Sequence, residues 1–175
     1  MSALEAAAIH ARLRARFGDA IGDLAGARPD NFCASVAPAA IAEVCRFAKD
    51  DPELAFDCLS NLSGVDYPKR GVIEIVYNLY SYRHRHLFAL KVGAPRDNPV
   101  VPTVSGIWAH ADWQEREAFD LLGVTFTGHP DLRRILCADD WEGFPLRKDY
   151  QFPREYHGIP GSVELDWQHK PDYPK

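Results

Sequence analysis

The chain crowds acidic, basic and aromatic side chains into one stretch, 115–150. It opens with Glu115-Arg116-Glu117-Ala118-Phe119-Asp120, continues through Gly128-His129-Pro130-Asp131-Leu132-Arg133-Arg134, and closes on Pro145-Leu146-Arg147-Lys148-Asp149-Tyr150. Two carboxylates serving as general acid and base on one bond must converge, yet residues two apart on a helix point about 200° apart, which separates Glu115 from Glu117. Glu117 and Asp120, three apart, do share a face. With His129 nearby such a pair could hold a divalent metal, the donor set of a stand-alone metal-dependent hydrolase. No second histidine stands at a ligand spacing, however, and Arg116, Arg133, Arg134, Arg147 and Lys148 would repel a cation. A third chemistry fits acids and bases in alternation: charge-assisted bonds in which arginine forks grip carboxylates and pin the following segment onto the helix. On that reading Glu115, Arg116, Glu117, Asp120, His129, Arg133, Arg134, Asp140, Trp141, Arg147, Lys148, Asp149 and Tyr150 are structural or partner-interface positions. None of them is catalytic, cofactor-binding or metal-ligating.

Other candidates are weaker. His110, Asp112, His84 and His86 read as partly exposed polar positions. Cys33, Cys45, Cys58 and Cys137 form no CxxC pair and no disulfide framework, so they read as small apolar residues in a reduced compartment. A glycosylation sequon at Asn61-Leu62-Ser63 has no export signal to give it meaning. Gly-rich phosphate loop, GxSxG elbow and Cys/His dyad are all missing from the sequence, so the isolated chain is expected to be non-catalytic. Between Lys69 and Arg96 the basic residues Lys69, Arg70, Arg83, Arg85, Lys91 and Arg96 face a single acid, Glu74, a local positive patch that could meet an acidic partner.

These residues need elements to hold them. With 175 residues, 46% of them hydrophobic and 26% charged, the chain has the composition of one soluble globular domain, not of a disordered or collagen-like protein. A net charge of −5 argues against a nucleic-acid binder, and no apolar run approaches the roughly 20 residues of a membrane span. Helical spacing over 3–17 predicts a first helix with Leu4, Ala7, Ala8, Ala11 and Ala15 inward, ended by Gly18. The stretch 22–31 reads as turns, 32–36 as a strand, and a helix starting at Pro38 carries Ile41, Val44, Cys45 and Ala48 on one stripe. Strand-like residues 54–65 precede the clearest strand, 72–82, with Ile73, Ile75, Tyr77 and Leu79 on one face at period two. Its hairpin partner is 86–92, with Phe88, Leu90 and Val92 inward. A loop at 94–99 and a short edge segment at 100–104 lead to a third helix, capped by Ser105 and running from about 106 to 122. This order predicts an α+β fold: a mostly antiparallel sheet covered by helices on one face, with an extended irregular C-terminal arm. The division falls into a domain at 1–125 and an arm at 126–175, rich in Pro, Gly and aromatics, which needs a surface to lie on: its own domain or, preferably, a neighbouring subunit.

The stretch Glu115-Arg116-Glu117, Asp120, Gly123, Gly128-His129-Pro130, Leu132-Arg133-Arg134-Ile135-Leu136, Asp140-Trp141, Gly143 and Pro145 to Tyr150 resembles the signature of the 30 kDa subunit family. That family supplies the C subunit of the proton-pumping NADH-quinone oxidoreductase, respiratory complex I. Leu62 to Tyr67, the strand end Tyr77 to Tyr80 and Val101 to Ala109 resemble it too. Leu121-Leu122 stands where that family carries an aromatic or methionine, a change of packing. The resemblance implies a cofactor-free accessory subunit in the hydrophilic arm of the complex, at the cytoplasmic side of the bacterial membrane. It also implies that iron-sulfur clusters, FMN and quinone reside in partner subunits. The main contact is then the quinone-pocket subunit, called D, with subunits B and I nearby. Related domains occur in membrane-bound hydrogenases and ferredoxin-plastoquinone oxidoreductases.

Overall fold

A computed structural model describes residues 4–28, 31–153 and 155–160. Five strands form one sheet in the order β1-β2-β5-β4-β3: β1 Ile21–Ala25, β2 Cys33–Val36, β3 Cys58–Tyr67, β4 Val72–Ser81 and β5 His86–Pro95. Within this sheet only β2 and β5 pair in parallel; the other neighbours are antiparallel. The β4–β5 hairpin follows directly from its sequence. Alternating Ile73, Ile75, Tyr77 and Leu79 are all at most 1% exposed, and in register across from them Phe88, Leu90, Val92 and Ala94 are equally buried. Three helices, α1 Ala6–Phe17, α2 Ile41–Asp50 and α3 Ala111–Leu122, bury their apolar sides in the same cluster of side chains. The fold is α+β, a mixed and mostly antiparallel sheet with helices, as the residue order predicts.

Several details depart from expectation. The stretch 22–31 reads as turns, but Ile21–Ala25 is a strand, paired with β2 through Ile21↔Val36 and Leu24↔Ala34 across an irregularity at Gly22-Asp23. On α1 the buried residues are Ile9 and Leu13, because large aliphatic groups gain more from burial than the alanine stripe does. β5 runs on to Pro95, through residues that read as loop. α3 begins at Ala111, not near Gly106, and its N-cap is His110, not Ser105. A turn held by distant contacts stands in the way: Ile107 and Trp108 N–H groups both turn back to the Val104 carbonyl, while Trp108 Nε1 donates to the Phe56 carbonyl at 3.2 Å. Lys49 Nζ also holds the Ile107 carbonyl, so this backbone is already committed to a turn. His84 and His86, which read as partly exposed, are each only 4% exposed, and their Nε2 atoms bond the Pro52 and Leu54 carbonyls at 2.9 and 2.7 Å.

Two short strands, β6 Val100–Pro102 and β7 Thr125–Thr127, pair in parallel and bring the chain after α3 back beside the segment before it. From Gly128 to Pro153 the chain is irregular, and its first part lies back over its own body. A two-residue pair, β8 Glu155–Tyr156 with β9 Ile159–Pro160, ends the described chain. Expectations that concern residues 161–175 fall outside the described residues.

Candidate functional site

The charged stretch assembles into two clamps between the body and the segment 128–150, and a third cluster inside the body that meets the segment at His129. The first centres on Asp120, whose side chain is fully buried near the C-terminal end of α3. A carboxylate in that position cannot leave its lone pairs unmatched. Its Oδ1 accepts from Arg134 at 2.6 Å, and its Oδ2 accepts the N–H groups of Ile135, Leu136 and Cys137 at 3.0, 2.7 and 2.8 Å. Burial alone would raise its pKa, but these donors overcome that and hold it down to about 2. Arg134 also donates to the carbonyls of Asp120, Trp141 and Gly143, so one guanidinium ties the loop at 141–143 to the end of α3. Arg116, one turn earlier, donates to the carbonyls of Arg133 and Arg134.

The second clamp rests on Asp66 in β3, whose side chain is also fully buried. Arg96 grips it with both forks, at 2.7 and 3.0 Å, and the Lys148 N–H adds a bond at 2.8 Å. Arg96 also reaches Asp149. These donors, the Arg96 fork first, hold the Asp66 carboxyl below its usual range. Alongside, Arg147 Nε donates to the Leu122 carbonyl at 2.8 Å and its guanidinium lies 4.9 Å from the Phe144 ring centre. Gly123 makes this approach possible: its φ is +78°, and a Cβ there would stand 2.6 Å from the Phe144 ring.

The third cluster centres on Glu115, fully buried, accepting the Val104 N–H at 2.6 Å and the Thr103 hydroxyl. His129 Nε2 lies 3.8 Å away, and its Nδ1 accepts the Asp131 N–H at 3.0 Å. Here burial outweighs the donors, and the Glu115 carboxyl is pushed up from its ordinary value.

The predicted residues therefore divide. Glu115, Arg116, Asp120, His129, Arg134 and Arg147 come together; Lys148 joins through its backbone and Asp149 through Arg96. Arg133 does not join with its side chain, which is 70% exposed and, among the described residues, paired with Asp131 at 2.9 Å. Glu117 is exposed and, among the described residues, has no ion pair. Asp140, Trp141 and Tyr150 line a separate aromatic cavity, where Asp140 accepts from Tyr156 at 2.7 Å and Trp141 packs on Phe152 and Tyr156. Sequence reasoning did not place Asp66 or Thr103 at the site, and it read Arg96 as part of a basic patch for an acidic partner, whereas its guanidinium is bonded within the chain to Asp66 and Asp149. A signal for Asp66 was available, because an acid on a strand that otherwise turns apolar residues inward calls for a buried cation. Among the described residues no group of three or more His, Cys, Asp and Glu side chains is arranged to hold a metal ion, nor is any helix long and apolar enough to cross a membrane.

The molecule is thus an α+β module with an irregular segment fastened to it by buried ion pairs. Comparison with known proteins names the group. The family of the respiratory-chain NADH dehydrogenase 30 kDa subunit matches residues 34–156. The C subunit of the NADH-quinone oxidoreductase of Roseiflexus sp. strain RS-1 is 46% identical over 170 residues, 97% of each chain. Among solved structures, a trypsin-resistant fragment of Nqo5 is 26% identical, with a TM-score of 0.61, and covers 72% of this chain and 98% of its own. A chain of an archaeal membrane-bound sulfane sulfur reductase shares the fold with a TM-score of 0.72 at 23% identity, over 97% of this chain and 95% of its own. The chain belongs to the 30 kDa subunit family, that of the C subunit of NADH-quinone oxidoreductase, complex I of the respiratory chain.

Proposed function

We propose that the chain is a cofactor-free accessory subunit in the hydrophilic arm of the oxidoreductase, peripheral to the cytoplasmic side of the bacterial membrane. It shapes and stabilises the junction where electrons pass from the last iron-sulfur cluster to quinone, as NADH oxidation drives proton translocation. The quinone-pocket subunit is its main contact, with subunits B and I nearby; FMN, the clusters and quinone belong to those partners and their neighbours. One observation carries this reading: Arg116, Asp120 and Arg134 of the family signature go into holding backbone at 133–143, the work of positioning. The 1–125 body supplies the platform and the segment beyond it the contact with partners.

The test is Arg134→Ala in the native complex. Assembly is expected to fall while turnover per assembled complex is retained. Full assembly with lost turnover, or stoichiometric binding of iron, zinc or flavin by the isolated chain, overturns the proposal. A phosphatase and esterase screen with added metals on that chain tests the hydrolase alternative.

A further inference from the structure

Within Glu115 to Asp120 every charge but one is used inside the chain. Glu115, Arg116 and Asp120 are buried and bonded, whereas Glu117 is exposed and, among the described residues, has no hydrogen bond or ion pair. Apolar groups stand beside it, with Ser63 and Gln114 as the polar neighbours in its cleft. Trp113 and Leu121, four residues to either side, share its side of α3, and Trp113 is 61% exposed. Glu117 borders a cleft of about 70 Å³ with Leu121 and Leu146, a volume suited to part of one side chain. Leu146 is 55% exposed yet held in place, since its N–H donates to the Leu121 carbonyl at 3.0 Å. Leu136, 64% exposed, is fixed on the flank by its N–H to Asp120.

A cluster of rigidly held, exposed hydrophobic groups marks a contact surface. The lone carboxylate says what it meets: docking strips water from Glu117, and a cation brought by the partner offsets that cost most fully. We propose that this face of α3 docks a neighbouring protein subunit that presents an arginine or lysine, its aliphatic stem on Leu121 and Leu146 and its head on Glu117. The inference rests on the reading of the chain as a subunit of the complex. A two-fold contact between the α3 faces of two copies is a poor fit, because the cation of that helix, Arg116, is bonded to the Arg133 and Arg134 carbonyls and lies over the Trp113 ring.

The experiment uses the whole complex, purified from membranes and washed at rising salt, with the amount of this subunit measured against the others. Glu117→Lys is expected to lower retention about tenfold at physiological salt, and Glu117→Gln less. Glu43→Lys, on the exposed side of α2, retains the wild-type level. A benzophenone side chain at Leu146, in a chain otherwise wild type, is expected to crosslink to a partner peptide containing arginine or lysine. Wild-type retention of Glu117→Lys, or a crosslink joining two copies of this chain, overturns the inference. Absence of the wild-type chain from the complex would instead defeat the reading on which it rests.

Discussion

The body and the strapped segment are held by opposite means. In the body, Leu59, Ile73, Ile75, Tyr77, Phe88 and their neighbours form a continuous apolar cluster, where burial of surface supplies the stability. Segment 128–150 contributes only the partly buried Leu132 to that cluster and is fastened through Asp120, Arg134, Asp66, Arg96 and Arg147. Apolar burial is non-directional and tolerates repacking, whereas charge-assisted bonds fix atoms in register. This chain therefore uses hydrophobicity to have a fold at all and charge to give its irregular segment one shape.

That contrast can be attacked from either side. Phe88→Ala should cost about 3–5 kcal/mol of unfolding free energy, read by chemical denaturation, and loosen body and segment together. Asp120→Ala leaves Arg134 and three N–H groups without their acceptor and should cost about 3 kcal/mol locally. Hydrogen exchange is then expected to accelerate at Ile135, Leu136 and Cys137 while the amides of β4 and β5 keep their protection; equal acceleration in the sheet would erase the distinction. Acid separates the two regions further. Asp120 has a folded pKa of about 2 against an ordinary 3.8, so its contribution, about 2 kcal/mol, is complete above the ordinary value and is lost as pH falls through about 2. Glu115 has the opposite sign: its pKa is raised by burial, so protonation favours the folded form as pH drops. Exchange at 135–137 should therefore rise in acid before exchange at Val104 does. The smallest effect belongs to Arg133→Ala, expected to leave the thermal midpoint within about 2 °C of wild type, because its ion pair with Asp131 is exposed.

How much of this was legible follows from the range of the forces involved. The α2 stripe of Ile41, Val44, Cys45 and Ala48 and the alternating β4 face are periodic, and periodicity is local information. β1 was not legible, because Gly22 and Asp23 mimic a turn and its strand character comes from pairing with β2. The start of α3 was missed because contacts from Phe56 and Lys49, far back in the chain, hold the preceding turn. At the site, the alternation of charge identified Asp120, Arg134 and Arg147 as clamp residues. It could not separate Glu117 and Arg133 from them, since exposure is set by neighbours that spacing does not reveal. Asp66 and Arg96 were hidden by distance: their common partner is the backbone of residue 148 and the side chain next to it.

Asp66 also orders events in time. Its carboxylate joins β3, the chain after β5 and Lys148, the last of these 82 residues away. Contacts so remote form late, after the loop between them has been closed. During synthesis the sheet and Arg96 leave the ribosome well before residue 148, so Asp66 and Arg96 meet first and the nascent strap arrives at a receptor already built. The strap, which emerges after the body, is thus captured by a surface already folded, a sequence of events that limits the wandering of its charged and aromatic side chains.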